Sequence, residues 1–236
     1  MTLAADGVTW IPEFDMSRAS PRISLVHATP VAVEPVVGAF RRLWPEADVY
    51  NLLEDSLAPD LDRAGALDDA MTDRFMRLGR YAADCGADGI LFTCSAFGAC
   101  IEAVADALKP MPVLKPNEAM FAEALDAGTK VGMLATFQPS VPSMEREFKE
   151  MAAAAGSSAE LTAVFVPGAM QALLSGDAVT HNALIADAVD GLGEVDVLLL
   201  AQFSMAQARD QVQAKTSAPI LTSPESAVRA LQVALV

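Results

Sequence analysis

"ADGILFTCSAFGACIEAVADAL", residues 87–108, is a short apolar run that meets a cysteine and passes into an alanine-rich stretch with helical periodicity. Such a run, bounded by glycine on one side and small residues on the other, reads as a strand buried on both faces, followed directly by a helix. Strand-then-helix alternation continues in both directions. Strands are expected at 22–28 (RISLVHA), 48–53 (DVYNLL), 88–94, 112–115 (PVLK), 130–136 (KVGMLAT), 161–166 (LTAVFV), 195–202 (VDVLLLAQ) and 219–222 (PILT). Helical patterns fill the intervals, among them 68–85 and 142–156. The alternation implies an α/β fold with mostly parallel sheets covered by helices. Gly86 marks a helix stop, and in "TSPES" Ser223 is placed as an N-cap with Pro224 in the first turn.

The same stretch has an echo. "ADGILFTCSAF" matches "EVDVLLLAQFSM" with Asp88 on Asp196, and "RISLVHATP" from Arg22 matches "KVGMLATFQP" from Lys130; the two matches share one offset along the chain. Two separate segments with a common offset indicate two similar α/β halves. We expect an N-terminal extension at 1–21, a first domain of 22–115 plus 223–236, and a second of 116–222, with the active site in the cleft between two pseudo-symmetric domains. In parallel sheets ligands sit beyond the carboxyl ends of the strands, so the residues ending each apolar run are the ones to inspect.

Cys94 ends one strand and begins a helical stretch. The field at a helix N-terminus favours an anion, so the thiol is expected to have a lowered pKa and to serve as nucleophile or base. Next to it, Thr93, Ser95 and Ala96 offer a hydroxyl, small side chains and backbone N–H groups to a substrate carboxylate. His27, ending the first strand, is a second proton-transfer group, a substrate donor, or a ring satisfied by local backbone. Lys115 either neutralises a carboxylate or is an exposed lysine in a crossover. Asn117, in the same crossover, is a further candidate to bind the substrate. Thr136 and Ser140 hold an anion or cap the helix after Pro139. Cys85 and Cys100 read as packing residues, and His181 as part of a surface helix.

Composition narrows the class further. The formal net charge of −15 and pI near 4.4 exclude the basic footprint of a nucleic-acid binder. A mean hydropathy of +0.32 comes from runs much shorter than the ~20 residues that cross a bilayer, so no membrane association is expected. Three cysteines without metal-ligand or secretory spacing point to reduced thiols, no metal and no disulfide. The first twenty residues lack the basic start and apolar stretch of a signal peptide, and a cytoplasmic location is expected. An apolar surface carried by Trp10 and Phe14 in that segment would favour a homodimer or a cover over the cleft.

With its duplicated α/β chain and a "TCSAFG" cysteine at a strand end, the sequence resembles the aspartate/glutamate racemase superfamily from about Arg22 onward. That group includes amino-acid and hydantoin racemases, maleate isomerase and arylmalonate decarboxylase. The resemblance implies a small carboxylate-bearing substrate and no cofactor, neither metal nor pyridoxal phosphate. It also implies one cysteine from each half flanking the substrate carbon. Here the second is missing: the offset that carries Asp88 to Asp196 carries Cys94 to Gln202, and an amide neither takes nor gives an α-proton near neutral pH. The expected function is therefore an isomerase or racemase-like enzyme using a single cysteine, with His27 or Ser204 as substitutes on the other face and Gln202 orienting the substrate. The alternatives are a malonate-type decarboxylase with Cys94 as proton donor, a thiol hydrolase pairing Cys94 with His181, and a non-catalytic carboxylate-binding protein.

Overall fold

The computed structural model describes residues 20–236. The first half contains β1 (Arg22–His27), α1 (Val33–Leu43), β2 (Asp48–Leu53), α2 (Leu57–Ala64), α3 (Asp69–Asp84), β3 (Gly89–Phe92), α4 (Gly98–Ala107) and β4 (Val113–Leu114), and α5 (Glu118–Ala127) leads out of it. The second repeats the plan with β5 (Lys130–Ala135), α6 (Val141–Ala154), β6 (Glu160–Phe165), α7 (Ala169–Leu174), α8 (Ala178–Asp187), β7 (Val197–Leu200), α9 (Arg209–Gln213), β8 (Ile220–Thr222) and α10 (Ser223–Leu235). Two all-parallel four-stranded sheets result, ordered β2-β1-β3-β4 and β6-β5-β7-β8. The expected strands all form. Trp10 and Phe14 lie outside the described residues.

Period-two alternation distributes each central strand over two cores. Ile90 and Phe92 of β3 face α3 and α4, with Phe75, Phe97, Ile101 and Val104; Leu91 faces α1 and α10, with Phe40, Val228 and Leu231. In β7, Leu199 packs with Phe121 and Phe148, and Leu198 and Leu200 with Ile185 and Val212. The connecting helices cross over: α5 joins the core of the second half and α10 that of the first. Among the described residues no helix is long and apolar enough to cross a membrane.

The echo in sequence is an echo in hydrogen bonding. Asp88 accepts from the Arg22 N–H (2.7 Å), and Asp196 from the N–H groups of Lys130 and Thr129 (2.8 Å each), so each aspartate ties the start of one central strand to its neighbour. A Cβ on Gly128 would lie 2.3 Å from Asp196 Cβ, which is why that turn carries glycine. Gly86, with φ +80°, ends α3 as expected.

Three local expectations are corrected. Cys85 is exposed, since α3 turns its last residue to solvent. His181 lies on a helix but is fully buried, because α8 packs against α7, α9 and the turn after Gln202. The cap of α10 is Thr222, in extended backbone, and Ser223 is its first helical residue. Ser223 instead donates its hydroxyl to Asn117 Oδ1 (2.7 Å), linking the starts of α5 and α10.

Candidate active site

Both halves end their third strand in the same way. The Thr93 N–H donates to the Val26 carbonyl and the Ala201 N–H to the Leu134 carbonyl, each at 3.0 Å, extending β3 and β7 by one rung. The next residue is extended in each case: Cys94 at φ −122°, ψ 120° and Gln202 at φ −103°, ψ 146°. Each opens a 3₁₀ turn, Ser95–Phe97 or Phe203–Ala208, that runs into α4 or α9. Cys94 and Gln202 thus occupy equivalent positions on the two walls of one open-mouthed cavity between the halves.

The walls share a frame but not a chemistry. Four lining pairs are related by the offset of the sequence echo: Thr29 and Phe137, Thr93 and Ala201, Cys94 and Gln202, Ser95 and Phe203. Every first-half member carries a hydroxyl or thiol; three of the four second-half members are apolar. The apolar wall is extended by Met170 and Leu174 of α7, and Leu174 and Phe137 stand exposed at the mouth. Among the described residues, no lysine, arginine, histidine or carboxylate lines the cavity.

The thiol departs from expectation. Burial against the apolar walls pushes the Cys94 thiol up, and the Ala96 N–H donated to its sulfur offsets only part of that shift. The turn after Cys94 is a three-residue 3₁₀ segment, whose few aligned peptides give a weaker field than a full helix. Desolvation therefore wins, and the group at neutral pH is a thiol. The Ala96 N–H that was expected to serve a substrate is spent on that sulfur.

Gln202 is held by its own half. Its Oε1 accepts from the Thr136 N–H (2.7 Å) and hydroxyl (3.2 Å), and its Nε2 donates to Ser140 Oγ (3.2 Å). Thr136 and Ser140 thereby serve Gln202, and Thr136 is not among the lining residues. Ser204 lines the second wall. His27 belongs to β1, beside β3 in the same sheet as Cys94, and does not line the cavity; its ring bonds Thr93 Oγ1 and Asn51 Oδ1 at 2.9 Å each. His181 neither lines the cavity nor bonds Cys94, which removes the geometric basis for a thiol hydrolase using that pair.

Lys115 and Asn117 are used structurally. Lys115 Nζ lies 2.8 Å from both Glu102 of α4 and Glu147 of α6, a mostly buried bridge from one half to the other; the two carboxylates hold its pKa above the ordinary lysine value despite burial. Asn117 is fully buried, accepting from Ser223 and donating to Met144 Sδ (3.0 Å). Of the residues singled out from sequence, Thr93, Cys94, Ser95, Gln202 and Ser204 meet at the cavity, and His27, Ala96, Lys115, Asn117 and Thr136 do not line it. Sequence reasoning missed Phe137 and Phe203, although both lie within the matched segments, opposite Thr29 and Ser95. Met170 and Leu174 carry no such signal, because α7, which follows β6, lies outside the two matched segments.

A family profile described as Asp/Glu/Hydantoin racemase matches residues 27–231. No curated protein matches the sequence. Among solved structures, the chain is similar to glutamate racemase from Francisella tularensis subsp. tularensis SCHU S4 in complex with D-glutamate (13% identity, 91% of this chain and 80% of that one, TM-score 0.68). It is also similar to aspartate racemase from Picrophilus torridus (14% identity, 91% and 94%, TM-score 0.70) and to unliganded arylmalonate decarboxylase (17% identity, 91% and 93%, TM-score 0.65). At these identities the likeness is one of fold.

Proposed function

Because this chain belongs to the Asp/Glu/Hydantoin racemase family, we propose that it acts at a carbon beside a carboxylate, with Cys94 as its one proton-transfer group serving one face of a carbanion. The observation that carries this reading is the pairing of Cys94 with Gln202 at equivalent positions of the two walls. An amide fixed by three hydrogen bonds offers the opposite face no titratable proton.

A thiol kept neutral by burial is suited to donating a proton. Decarboxylation of a malonate-type acid needs that step alone: the C–C bond breaks to release carbon dioxide, its electron pair remains as an enolate, and Cys94 S–H protonates the enolate carbon. Solvent then returns the proton to sulfur. The substrate carboxylate that stays is placed against Thr29 and Ser95, and an apolar substituent against Phe137, Phe203, Met170 and Leu174. Among the described residues the lining holds no cation to stabilise the departing carboxylate, which favours its loss as neutral carbon dioxide. Isomerisation with one cysteine is the second reading; the Ala96 N–H at the sulfur favours it, since that contact stabilises the thiolate such a step requires. The domain limits 22–115 plus 223–236 and 116–222 form part of the proposal, supported by the packing of α10 on the first core and α5 on the second.

Incubation of 2-arylmalonates, maleate-type diacids and single enantiomers of apolar amino acids in deuterated water tests the reading. One product enantiomer carrying one solvent deuterium is expected. Equal racemisation of both enantiomers, or ligand-dependent stabilisation without turnover, would overturn it. The pH profile separates the two mechanisms. A thiol acting as acid is active below its pKa, so activity is level through neutral pH and falls only in the alkaline range to which burial moves it; a thiolate base gives activity that rises there instead. Gln202→Cys supplies a proton donor on the second wall, and product formed by that variant is expected to lose its enantiomeric purity, measured by chiral chromatography. Retained purity would show that the two walls do not face one carbon.

A further inference from the structure

The strand order β2-β1-β3 brings Asn51, His27 and Thr93 together on one face of the sheet, with Asn51 opposite Leu25 and so diagonal to His27, although they are far apart in sequence. Asn51 is exposed on the edge strand, His27 is fully buried, and Thr93 lines the cavity beside Cys94. Nε2 of His27 lies 2.9 Å from Asn51 Oδ1, and Nδ1 lies 2.9 Å from Thr93 Oγ1. These contacts are continuous from solvent to the cavity wall.

Burial lowers the pKa of His27, so the ring is neutral and has one N–H and one bare nitrogen. The surroundings agree. Leu57 of α2, Phe75 of α3 and Phe92 of β3 line, with His27, a narrow crevice whose one other titratable member among the described residues is Cys94. Glu54, just beyond β2, gives its backbone N–H to the His27 carbonyl and turns its carboxylate to Arg74. No carboxylate among the described residues thus reaches the imidazole to stabilise a cation.

Asn51 Oδ1 can only accept, so the ring proton sits on Nε2. Nδ1 is then an acceptor, and the Thr93 hydroxyl must donate to it; the other acceptor in reach, the Val26 carbonyl, is longer at 3.4 Å. A hydroxyl has one proton. With that proton directed to His27, Thr93 shows the cavity lone pairs alone.

We propose that His27 is a positioning residue that sets the polarity of Thr93, and that the substrate group meeting Thr93 is a hydrogen-bond donor: an ammonium, amide N–H, hydroxyl or un-ionised carboxyl. This rests on the reading of the cavity as the substrate site and narrows it. A carboxylate is excluded from Thr93 and left to Ser95 and Thr29. An α-amino or α-hydroxy acid, or a malonate carrying such a group, meets both requirements.

The long-range ¹H–¹⁵N spectrum of the free protein tests the first step independently of any reaction. The chain has two histidines, and His181→Gln identifies the signals of His27. At neutral pH the ring is expected to be protonated on Nε2 and bare at Nδ1; a proton on Nδ1 would refute the proposal. The second step uses Asn51, at the exposed edge. Asn51→Leu removes the acceptor, moves the proton to Nδ1 and turns the Thr93 proton toward the cavity. On a substrate that Cys94 turns over, KM is expected to rise about tenfold, the worth of one hydrogen bond, with kcat held within about threefold. Asn51→Gln, which keeps a neutral amide acceptor, is expected to restore both the tautomer and KM. Asn51→Leu should add nothing to Thr93→Val. If Asn51→Leu moves the ring proton and leaves KM unchanged, the substrate does not read Thr93 and the proposal fails. Failure of Cys94 to support any reaction would instead remove the proposed function and leave the spectrum to decide the tautomer.

Discussion

Cys94→Ala is expected to lower turnover by about a thousandfold, the usual contribution of a positioned acid or base, with little change in thermal stability. The expectation is large because no described neighbour can replace the thiol. His27 lies in the same sheet and offers Thr93 its bare nitrogen, Gln202 is an amide held from behind, and Ser204 carries an alcohol of far higher pKa. Stability should hold because Cys94 is only half-buried and sits at the rim of its core. Cys94→Ser keeps a donor of lower acidity and is expected between parent and alanine. The check is kcat on the responding substrate, with a melting curve on the same preparation. Full activity in Cys94→Ala would sink the mechanism.

Phe75→Ala is expected to cost about 3–5 kcal/mol, as for other large-to-small core changes, or roughly 6–20 °C in Tm at this chain length. Phe75 on α3 is 2% exposed and stacks on Phe92 (5.3 Å between ring centroids) and Phe97 (4.8 Å). Those two rings bracket Cys94 in sequence, one at the end of β3 and one in the turn that follows. Phe75 also closes the crevice behind the thiol, so its removal opens Cys94 to water and lets the turn shift. Activity per folded molecule should fall as well. Phe148→Ala is the matched control: Phe148 is equally buried, meets Phe121 edge-on at 5.6 Å in the second core, and does not line the cavity. It should lose similar stability and keep its specific activity. Equal losses of specific activity in the two variants would mean that Phe75 has no particular hold on Cys94.

The contrast between these two phenylalanines shows where reading the chain succeeds. Both lie in helical patterns visible at 68–85 and 142–156, and both could be assigned to a core from periodicity. That only Phe75 stands behind a reactive group follows from which strand its helix covers. The same distinction runs through the polar residues. Lys115, a candidate for holding a substrate carboxylate, is taken by Glu102 of the preceding helix and by Glu147 of α6 in the other half. Thr136 is turned to Gln202, which is far along the chain from it.

Cys94 shows the limit most clearly. Its place at a strand end next to a helical stretch was legible, and so was the absence of a second cysteine. The direction of its pKa was not, because the local helix field and the burial pull in opposite senses. Burial depends on Phe75, Leu57 and the facing wall, none of them near in sequence.

By itself, the sequence determined the parallel strands, a duplication with one constant offset, and one thiol set against one amide; all of these rest on local periodicity and spacing. Only the tertiary structure decided that burial raises the pKa of the thiol, that the hydroxyls and thiol of one wall are matched mostly by apolar residues on the other, and that Thr93 lies within hydrogen-bonding reach of His27. Those properties are set by desolvation and by hydrogen-bond partners that the fold brings together from distant parts of the chain.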